Sequence, residues 1–148
     1  MLFRSISTLE EKSLGAVSKS GSSIVTSVLS YGETSNAKGL NVVFSPGNDL
    51  VSCTAMAASG ATMILFSTGR GTPFGTVVPT LKIATNAPLA IKKKNWIDFD
   101  ASIAITEGLE KTADELVEKI TDTASGHHTR NEENGIAEIS IFKDGVIL

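Results

Sequence analysis

Short apolar runs alternate along this chain with segments of helical periodicity, a pattern typical of an α/β protein. Residues 40–44 and 61–66 are nearly continuous apolar runs of the kind that form parallel strands covered on both faces. Between them, Asn48 or Asp49 is a suitable N-cap for a helix rich in small residues, which Gly60 would end. This order predicts a strand, a helix and a second strand joined by a right-handed crossover.

The same pattern continues through the second half of the chain. Residues 81–85 predict a third strand, and Asn86-Ala87-Pro88 predicts a short helix directly after it. A capping-box spacing at residues 112–115 predicts the start of another helix. The apolar face of that helix would carry Leu116, Val117, Ile120 and Ala124. Residues 139–148 predict a final strand with an Asp-Gly turn.

The first 39 residues differ from the rest of the chain. A helical pattern that includes Leu14 and Val17 begins almost at the first residue, and residues 30–39 are small or polar, as in a connecting loop. We therefore expect residues 1–39 to be a helix and a loop at the end of a truncated larger domain. Residues 40–148 are expected to form a Rossmann-like α/β C-terminal domain, with a mostly parallel sheet flanked by helices.

Composition excludes several classes of function. The chain has 148 residues, of which 41% are hydrophobic and 20% charged, enough to bury a core of its own. A formal net charge of −3 with mixed signs provides no basic surface for a nucleic acid. No apolar run approaches the roughly 18 residues of a membrane span, and the amino terminus lacks the apolar stretch of a signal peptide. The single cysteine, Cys53, cannot form an internal disulfide, and together these features predict a cytoplasmic protein.

A glycine-rich loop with one arginine follows the second predicted strand. Gly69, Gly71 and Gly75 would let the backbone approach a ligand closely, and Arg70 carries a planar set of donors suited to a carboxylate or phosphate. The loop is long for a compact domain, and long loops are disproportionately functional. Lys82 lies in the third predicted strand, whose end would bring it within reach of the same ligand. These features favour an anionic small molecule.

Other kinds of site fit these residues less well. The glycine spacing departs by one residue from a dinucleotide fingerprint, no acidic residue ends a strand about 20 positions later, and no Gly-Lys-Ser/Thr follows as in a Walker loop. Asp98 and Asp100 could bind a divalent ion from one side of an extended segment, although a capped turn would use the same carboxylates. His127 and His128 are adjacent at a predicted helix end, which favours solvent exposure over metal ligation. Cys53 is expected to be a small buried side chain.

Five sequence blocks occur in the same order as in a known enzyme family. They are Glu10-Glu11-Lys12-Ser13-Leu14-Gly15-Ala16 with Lys19-Ser20-Gly21, Ser45-Pro46-Gly47-Asn48-Asp49, Ser67-Thr68-Gly69-Arg70-Gly71-Thr72, Lys82-Ile83-Ala84-Thr85-Asn86 and Asn131-Glu132-Glu133-Asn134-Gly135. On these blocks, the chain resembles the C-terminal part of the altronate dehydratase and galactarate dehydratase family. Members of that family are longer, so the resemblance implies that a small β-rich domain and a middle region precede a C-terminal domain with a variant Rossmann fold.

The resemblance also implies an activity, the removal of water from a sugar acid with the help of a divalent metal, commonly Fe²⁺. Such a reaction takes a proton next to a carboxylate, and positive charge must stabilise the enediolate while hydroxide leaves. The residues expected to bind substrate are Thr68, Gly69, Arg70, Gly71, Lys82 and Asn86, and those expected to bind the metal are Asp98 and Asp100. Arg70 and Lys82 would hold carboxylates while the two glycine amides add donors. Thr68 and Asn86 would orient hydroxyls, and no residue of the chain is singled out as the general base.

Two hypotheses from different classes follow. In the first, the chain is the C-terminal portion of a metal-dependent sugar-acid dehydratase, inactive alone, with a small anionic sugar acid as substrate. Its protein partner would be the upstream region or a second copy of the chain. In the second, the chain is a non-catalytic domain that binds an acidic metabolite or a partner chain. Formation of a keto-deoxy acid from altronate or galactarate, with ferrous iron and the upstream region present, distinguishes the two.

Overall fold

The computed structural model of the protein describes residues 14, 15, 17, 18 and 20–141. Residues 14, 15, 17 and 18 are helical, as predicted for the N-terminal segment, and the earlier part of that predicted helix lies outside the described residues. The predicted final strand is wrong for residues 139–141, which form no strand. Its remaining residues also lie outside the described part of the chain.

The described residues form two parallel sheets flanked by helices. The first sheet pairs β1 (Val25–Leu29) with β2 (Leu40–Val43), and the second places β3 (Ile64–Thr68), β4 (Thr80–Ala84) and β5 (Phe99–Asp100) side by side in that order. The helices are α1 (Asp49–Ala58), α2 (Ala87–Lys92), α3 (Ala104–Glu107), α4 (Leu109–Ala124) and α5 (Arg130–Glu133), with a 3₁₀ turn at Ala101–Ile103. The predicted α/β class is therefore confirmed, while the Rossmann-like connectivity stays a prediction.

Strand β1 is absent from the elements predicted above. Its sequence includes Val25, Thr26 and Val28, β-branched residues that strands favour. Because β1 pairs with β2, the predicted domain boundary after residue 39 falls between two hydrogen-bonded strands. Within the described residues, β2 and β3 belong to different sheets, so the predicted crossover does not make them neighbours. Apolar periodicity identifies a strand but does not rank its possible partners.

Two small clusters of apolar side chains form the core of the described structure. In the first, Cys53 of α1 packs with Ile64 and Phe74, and the ring of Phe74 meets the ring of Phe66 edge-on at 4.9 Å between centroids. In the second, Ala84, Leu89 and Ile97 pack beside the carboxyl ends of β4 and β5. The prediction that Cys53 is buried is confirmed.

Helix starts follow local capping chemistry at some positions and tertiary packing at others. Asn48 caps α1 by accepting a hydrogen bond from the amide of Val51 at 3.2 Å, and Gly60 follows the end of the helix at φ +106°, both as predicted. The predicted capping box at residues 112–115 is wrong. Helix α4 begins four residues earlier, at Leu109 with Gly108 as its N-cap, and Thr112 lies inside it with its hydroxyl bonded to the Gly108 carbonyl. A genuine capping box stands at residues 129–132, ahead of α5.

The second sheet brings three strand ends to one edge. Thr68 of β3 lies opposite Ala84 of β4, and Ala84 lies opposite Asp100 of β5. Every residue of β4 is buried, as expected for the central strand of a parallel sheet. The chain segments that follow residues 68, 84 and 100 therefore leave the sheet together, where ligands of open α/β sheets usually bind. No helix in the described part of the chain is long and apolar enough to cross a bilayer.

Candidate functional site at the carboxyl edge of the second sheet

The glycine loop begins with a turn that the Thr68 side chain closes. The Thr68 hydroxyl oxygen accepts a hydrogen bond from the amide of Gly71 at 3.0 Å, and the amide of Arg70 lies 3.4 Å from the same oxygen. Gly71 has φ +79°, and a Cβ there would lie 2.9 Å from Cδ1 of Leu89. The Thr68 hydroxyl and the Gly71 amide, both predicted to bind substrate, are thus bonded to each other.

The end of β4 holds the first residues of this loop. The amide and the hydroxyl of Thr85 both donate to the Thr68 carbonyl, at 3.0 and 3.2 Å. The Asn86 side chain donates to the Gly69 carbonyl at 2.9 Å and accepts from the Leu89 amide at 3.0 Å, so that it also caps α2. In this geometry Asn86 fixes the loop, and its predicted contact with a substrate hydroxyl stays a prediction.

Arg70 differs from its neighbours because its side chain is exposed and its guanidinium has no hydrogen-bond or ion-pair partner among the described residues. The loop that carries it is fixed on both sides, by the Thr68 turn and by Asn86. A guanidinium presents five donors in a plane, a shape that matches a carboxylate. Among the predicted substrate-binding side chains, Arg70 is therefore the one that the structure leaves available to a ligand.

Lys82 lies beneath the loop and not at its surface. It is 1% exposed, its ammonium donates to the Thr72 carbonyl, and its Nζ lies 5.2 Å from the centroid of the Phe74 ring. Burial lowers the pKa of Lys82 to about 8. Electrostatic interactions with Asp98, Glu138 and Cys53 act in the opposite direction and only partly counter this shift. Lys82 supports the loop from inside the protein. The sequence pattern predicts that Lys82 lies in a strand, but it does not predict the contact with the Thr72 carbonyl.

The two aspartates predicted to bind a metal are occupied by hydrogen bonds within the chain. The carboxylate of Asp98 accepts from the backbone amides of Lys82 and Arg130, each at 2.7 Å. Burial raises the pKa of Asp98, and these two amide donors partly counter that shift. Asp100 accepts from the amide and the hydroxyl of Ser102, which is the capped turn considered as the alternative above.

These aspartates do not fit a metal site in this geometry. Their oxygens already accept hydrogen bonds, and the described residues contain no group of three histidine, cysteine, aspartate or glutamate side chains placed to hold an ion. His127 and His128 are exposed, as predicted. The role of Asp98 and Asp100 as metal ligands stays a prediction that the hydrogen bonding does not favour.

A cavity of about 470 Å³ opens beside the ends of β4 and β5. Its lining residues include Thr85, Asn86, Pro88, Asp100, Ile103 and Ile105. The walls are mainly apolar, with polar groups along the strand ends. This cavity lies on the same sheet edge as the loop that carries Arg70, so the edge offers both a cation and a concave surface.

Two residues that stabilise the second sheet were not among the predicted site residues. Asn131 is buried, and its side chain donates at 3.0 Å to the carbonyl of Thr80, at the amino end of β4. Its Cβ also lies 2.8 Å from the position that a Cβ on Gly75 would take, so Gly75 is needed for close packing. Thr85 is the second such residue, through its bonds to Thr68. Both belong to sequence blocks quoted for the resemblance, which is the one signal that marks them.

The chain is similar over almost its whole length to a known protein family and to curated proteins. Residues 3–147 match the family model described as D-galactarate/Altronate dehydratase, C-terminal. The chain is 52% identical over 144 residues to altronate dehydratase of Escherichia coli (strain K12) and 48% identical over 145 residues to altronate dehydratase of Bacillus subtilis (strain 168). Each match covers 97% of this chain and 29% of the relative.

A further match is to galactarate dehydratase (L-threo-forming) of Escherichia coli (strain K12), 39% identical over 124 residues, covering 82% of this chain and 24% of the relative. The chain therefore spans less than a third of the length of these relatives. The family model, in contrast, covers almost all of the chain. The chain belongs to the D-galactarate/altronate dehydratase C-terminal family.

Proposed function

We propose that this chain is the C-terminal part of a sugar-acid dehydratase and binds a carboxylate of the substrate. The observation that carries the proposal is the exposed guanidinium of Arg70, which has no ion-pair partner among the described residues and stands on a loop fixed at the carboxyl edge of a parallel sheet. Relatives named as altronate and galactarate dehydratases supply the reaction class. Both names denote enzymes that act on anionic sugar acids.

The chemistry assigned to the chain is positioning and charge stabilisation. Proton loss next to a carboxylate moves negative charge onto the carboxylate oxygens, and a bidentate guanidinium stabilises that charge more strongly in the transition state than in the substrate. Because the Arg70 loop is already tied to Thr85 and Asn86, little reorganisation is needed when substrate binds. Lys82 adds positive charge from below the same loop.

The family resemblance implies a divalent metal, commonly Fe²⁺, which would act as a Lewis acid on a substrate oxygen when bound. The carboxylates of Asp98 and Asp100 are engaged within the chain and do not fit this ion as they stand. No step assigned here to Arg70 or Lys82 passes through the metal. The expected compartment remains the cytoplasm, on composition and the single unpaired cysteine.

Isothermal titration calorimetry of the chain with galactarate and with altronate tests the proposal. We expect Arg70→Ala to weaken binding about tenfold or more, since a charge-assisted bidentate contact is lost. Lys94→Ala removes the same charge from an exposed position after α2 and should leave the affinity unchanged. Equal affinities for wild type and Arg70→Ala would contradict the proposal.

A second measurement separates catalysis from simple binding. The chain is joined to the preceding region of the Escherichia coli altronate dehydratase in place of the matched part, and formation of a keto-deoxy acid is followed with ferrous iron present. Turnover that falls in Arg70→Ala and persists in Lys94→Ala supports the dehydratase role. Binding that depends on Arg70 without any turnover would favour the non-catalytic, metabolite-binding alternative.

A further inference from the structure

The first sheet leaves three apolar side chains exposed on one face. Val28 of β1 lies opposite Val42 of β2 in the parallel register, so the two side chains are neighbours on the same face. Phe44 follows two residues after Val42 and points to that face as well. Val28 is 72% exposed and Phe44 is 68% exposed. We call Val28, Val42 and Phe44 the outer face of the first sheet.

The opposite face of this sheet is turned toward the protein. Leu29 is buried, and Leu29 and Val43 line a cavity of about 540 Å³ together with Met56 of α1. Parallel sheets are almost always covered on both faces, and two strands alone are not independently stable. A face of a two-stranded parallel sheet that the described residues leave exposed therefore indicates that another piece of polypeptide packs there.

We infer that the outer face is the docking surface for the polypeptide that precedes this family's C-terminal region. The matches cover 29% of two altronate dehydratases, and the family model is a C-terminal one, so in those relatives most of the chain lies on the amino-terminal side. Strand β1, which carries Val28, is the first strand of the described residues and so lies nearest in sequence to that amino-terminal side.

A second copy of the chain is the less suitable occupant. Stable interfaces between separate proteins use about 20–30 residues from each partner, and the outer face offers three apolar side chains. A segment of the same polypeptide is held at high effective concentration and needs far fewer contacts to stay docked. The inference rests on family membership and not on dehydratase activity, so failure of the Arg70 experiment leaves it unaffected.

Cysteine labelling tests the inference. Val28→Cys and Val117→Cys each place a thiol at an exposed valine, the second on α4, where Val117 is 59% exposed. The only native cysteine, Cys53, is buried and serves as an internal reference. Alkylation rates are measured by peptide mass spectrometry in this chain and in a chimera where the chain replaces the matched part of the Escherichia coli altronate dehydratase.

We expect labelling at Val28→Cys to slow about tenfold or more in the chimera, while Val117→Cys keeps its rate. Equal rates at Val28→Cys in the chain and the chimera would overturn the inference, as would concentration-dependent protection of that thiol in the chain alone, which would assign the face to a second copy. Rapid labelling of Cys53 would show that the chimera has lost its core. The measurement is then repeated in a chimera where the chain replaces the matched part of the Bacillus subtilis altronate dehydratase, whose match also covers 97% of this chain.

Discussion

At the scale of single residues, Gly71 is subject to two independent constraints. Its φ of +79° lies in the region that other L-residues rarely adopt. A side chain there would also press against Leu89, a buried residue of the second core cluster. The glycine predicted to expose an amide to substrate is thus required first for the shape of the turn that presents Arg70.

We expect Gly71→Ala to lower the free energy of unfolding by about 2 kcal/mol. Of this, about 1 kcal/mol comes from the positive φ, and the rest from moving Leu89 out of its rotamer. Gly135→Ala is the control, because Gly135 also has positive φ (+66°) but has open space around its Cβ position, and it should lose about 1 kcal/mol. Urea denaturation measures the free energy of unfolding of both variants. Equal decreases in the two would contradict a contribution from the contact with Leu89.

At the scale of elements, Asn86 joins the start of α2 to the glycine loop. It caps the helix with its side-chain oxygen and holds the Gly69 carbonyl with its side-chain nitrogen. Asn48 likewise caps α1, but its side-chain nitrogen makes no hydrogen bond to the described residues. The sequence predicts both caps from local preference, but the bond to Gly69 joins residues 17 positions apart and depends on the pairing of β3 with β4.

Asn86→Ala is expected to cost about 2 kcal/mol of stability, about 1 for the cap and about 1 for the bond to Gly69. Asn48→Ala should cost about 1 kcal/mol, since it removes a cap alone. Hydrogen exchange at the Gly71 amide is a second measurement. Its rate should increase in Asn86→Ala and stay unchanged in Asn48→Ala. A loss in Asn86→Ala no larger than in Asn48→Ala would mean that the loop does not depend on this side chain.

At the scale of the whole molecule, Lys82 links the stability of the fold to pH. Burial lowers its pKa from 10.5 to about 8 in the folded state, so between these values the unfolded chain binds more protons than the folded protein. The contribution of Lys82 to the free energy of unfolding is therefore nearly constant below about pH 8 and rises as the pH increases from about 8 toward 10.5. Burial raises the pKa of Cys53 from 9.0 to about 11, which acts in the opposite direction above pH 9.

We expect the free energy of unfolding to increase by about 1 kcal/mol between pH 7 and pH 9 through Lys82. Lys82→Met removes the titrating group and should remove this increase, whatever the change in absolute stability. Urea denaturation at the two pH values measures the difference for each protein. The same increase in Lys82→Met as in wild type would assign the effect to other groups.

Local sequence patterns were sufficient to predict the α/β class, the positions of β2, β3 and β4 within a few residues, the caps at Asn48 and Asn86, and the arginine of the glycine loop. These features follow from apolar runs, capping preferences and glycine, all of which act over a few neighbouring residues. The misplaced start of α4 shows the limit of such signals, because Thr112 fits a cap locally but packs inside the helix.

Which polar groups remain available to a ligand depends on the packing of segments that are distant in the sequence. Asp98 accepts hydrogen bonds from amides 16 and 32 residues away, Lys82 donates to the Thr72 carbonyl, and Asn86 donates to the Gly69 carbonyl, so these side chains are engaged within the protein. Among the predicted binding side chains, only that of Arg70 is exposed and has no hydrogen-bond or ion-pair partner among the described residues. Such assignments depend on strand register and packing between distant segments, and no local period of the sequence encodes them.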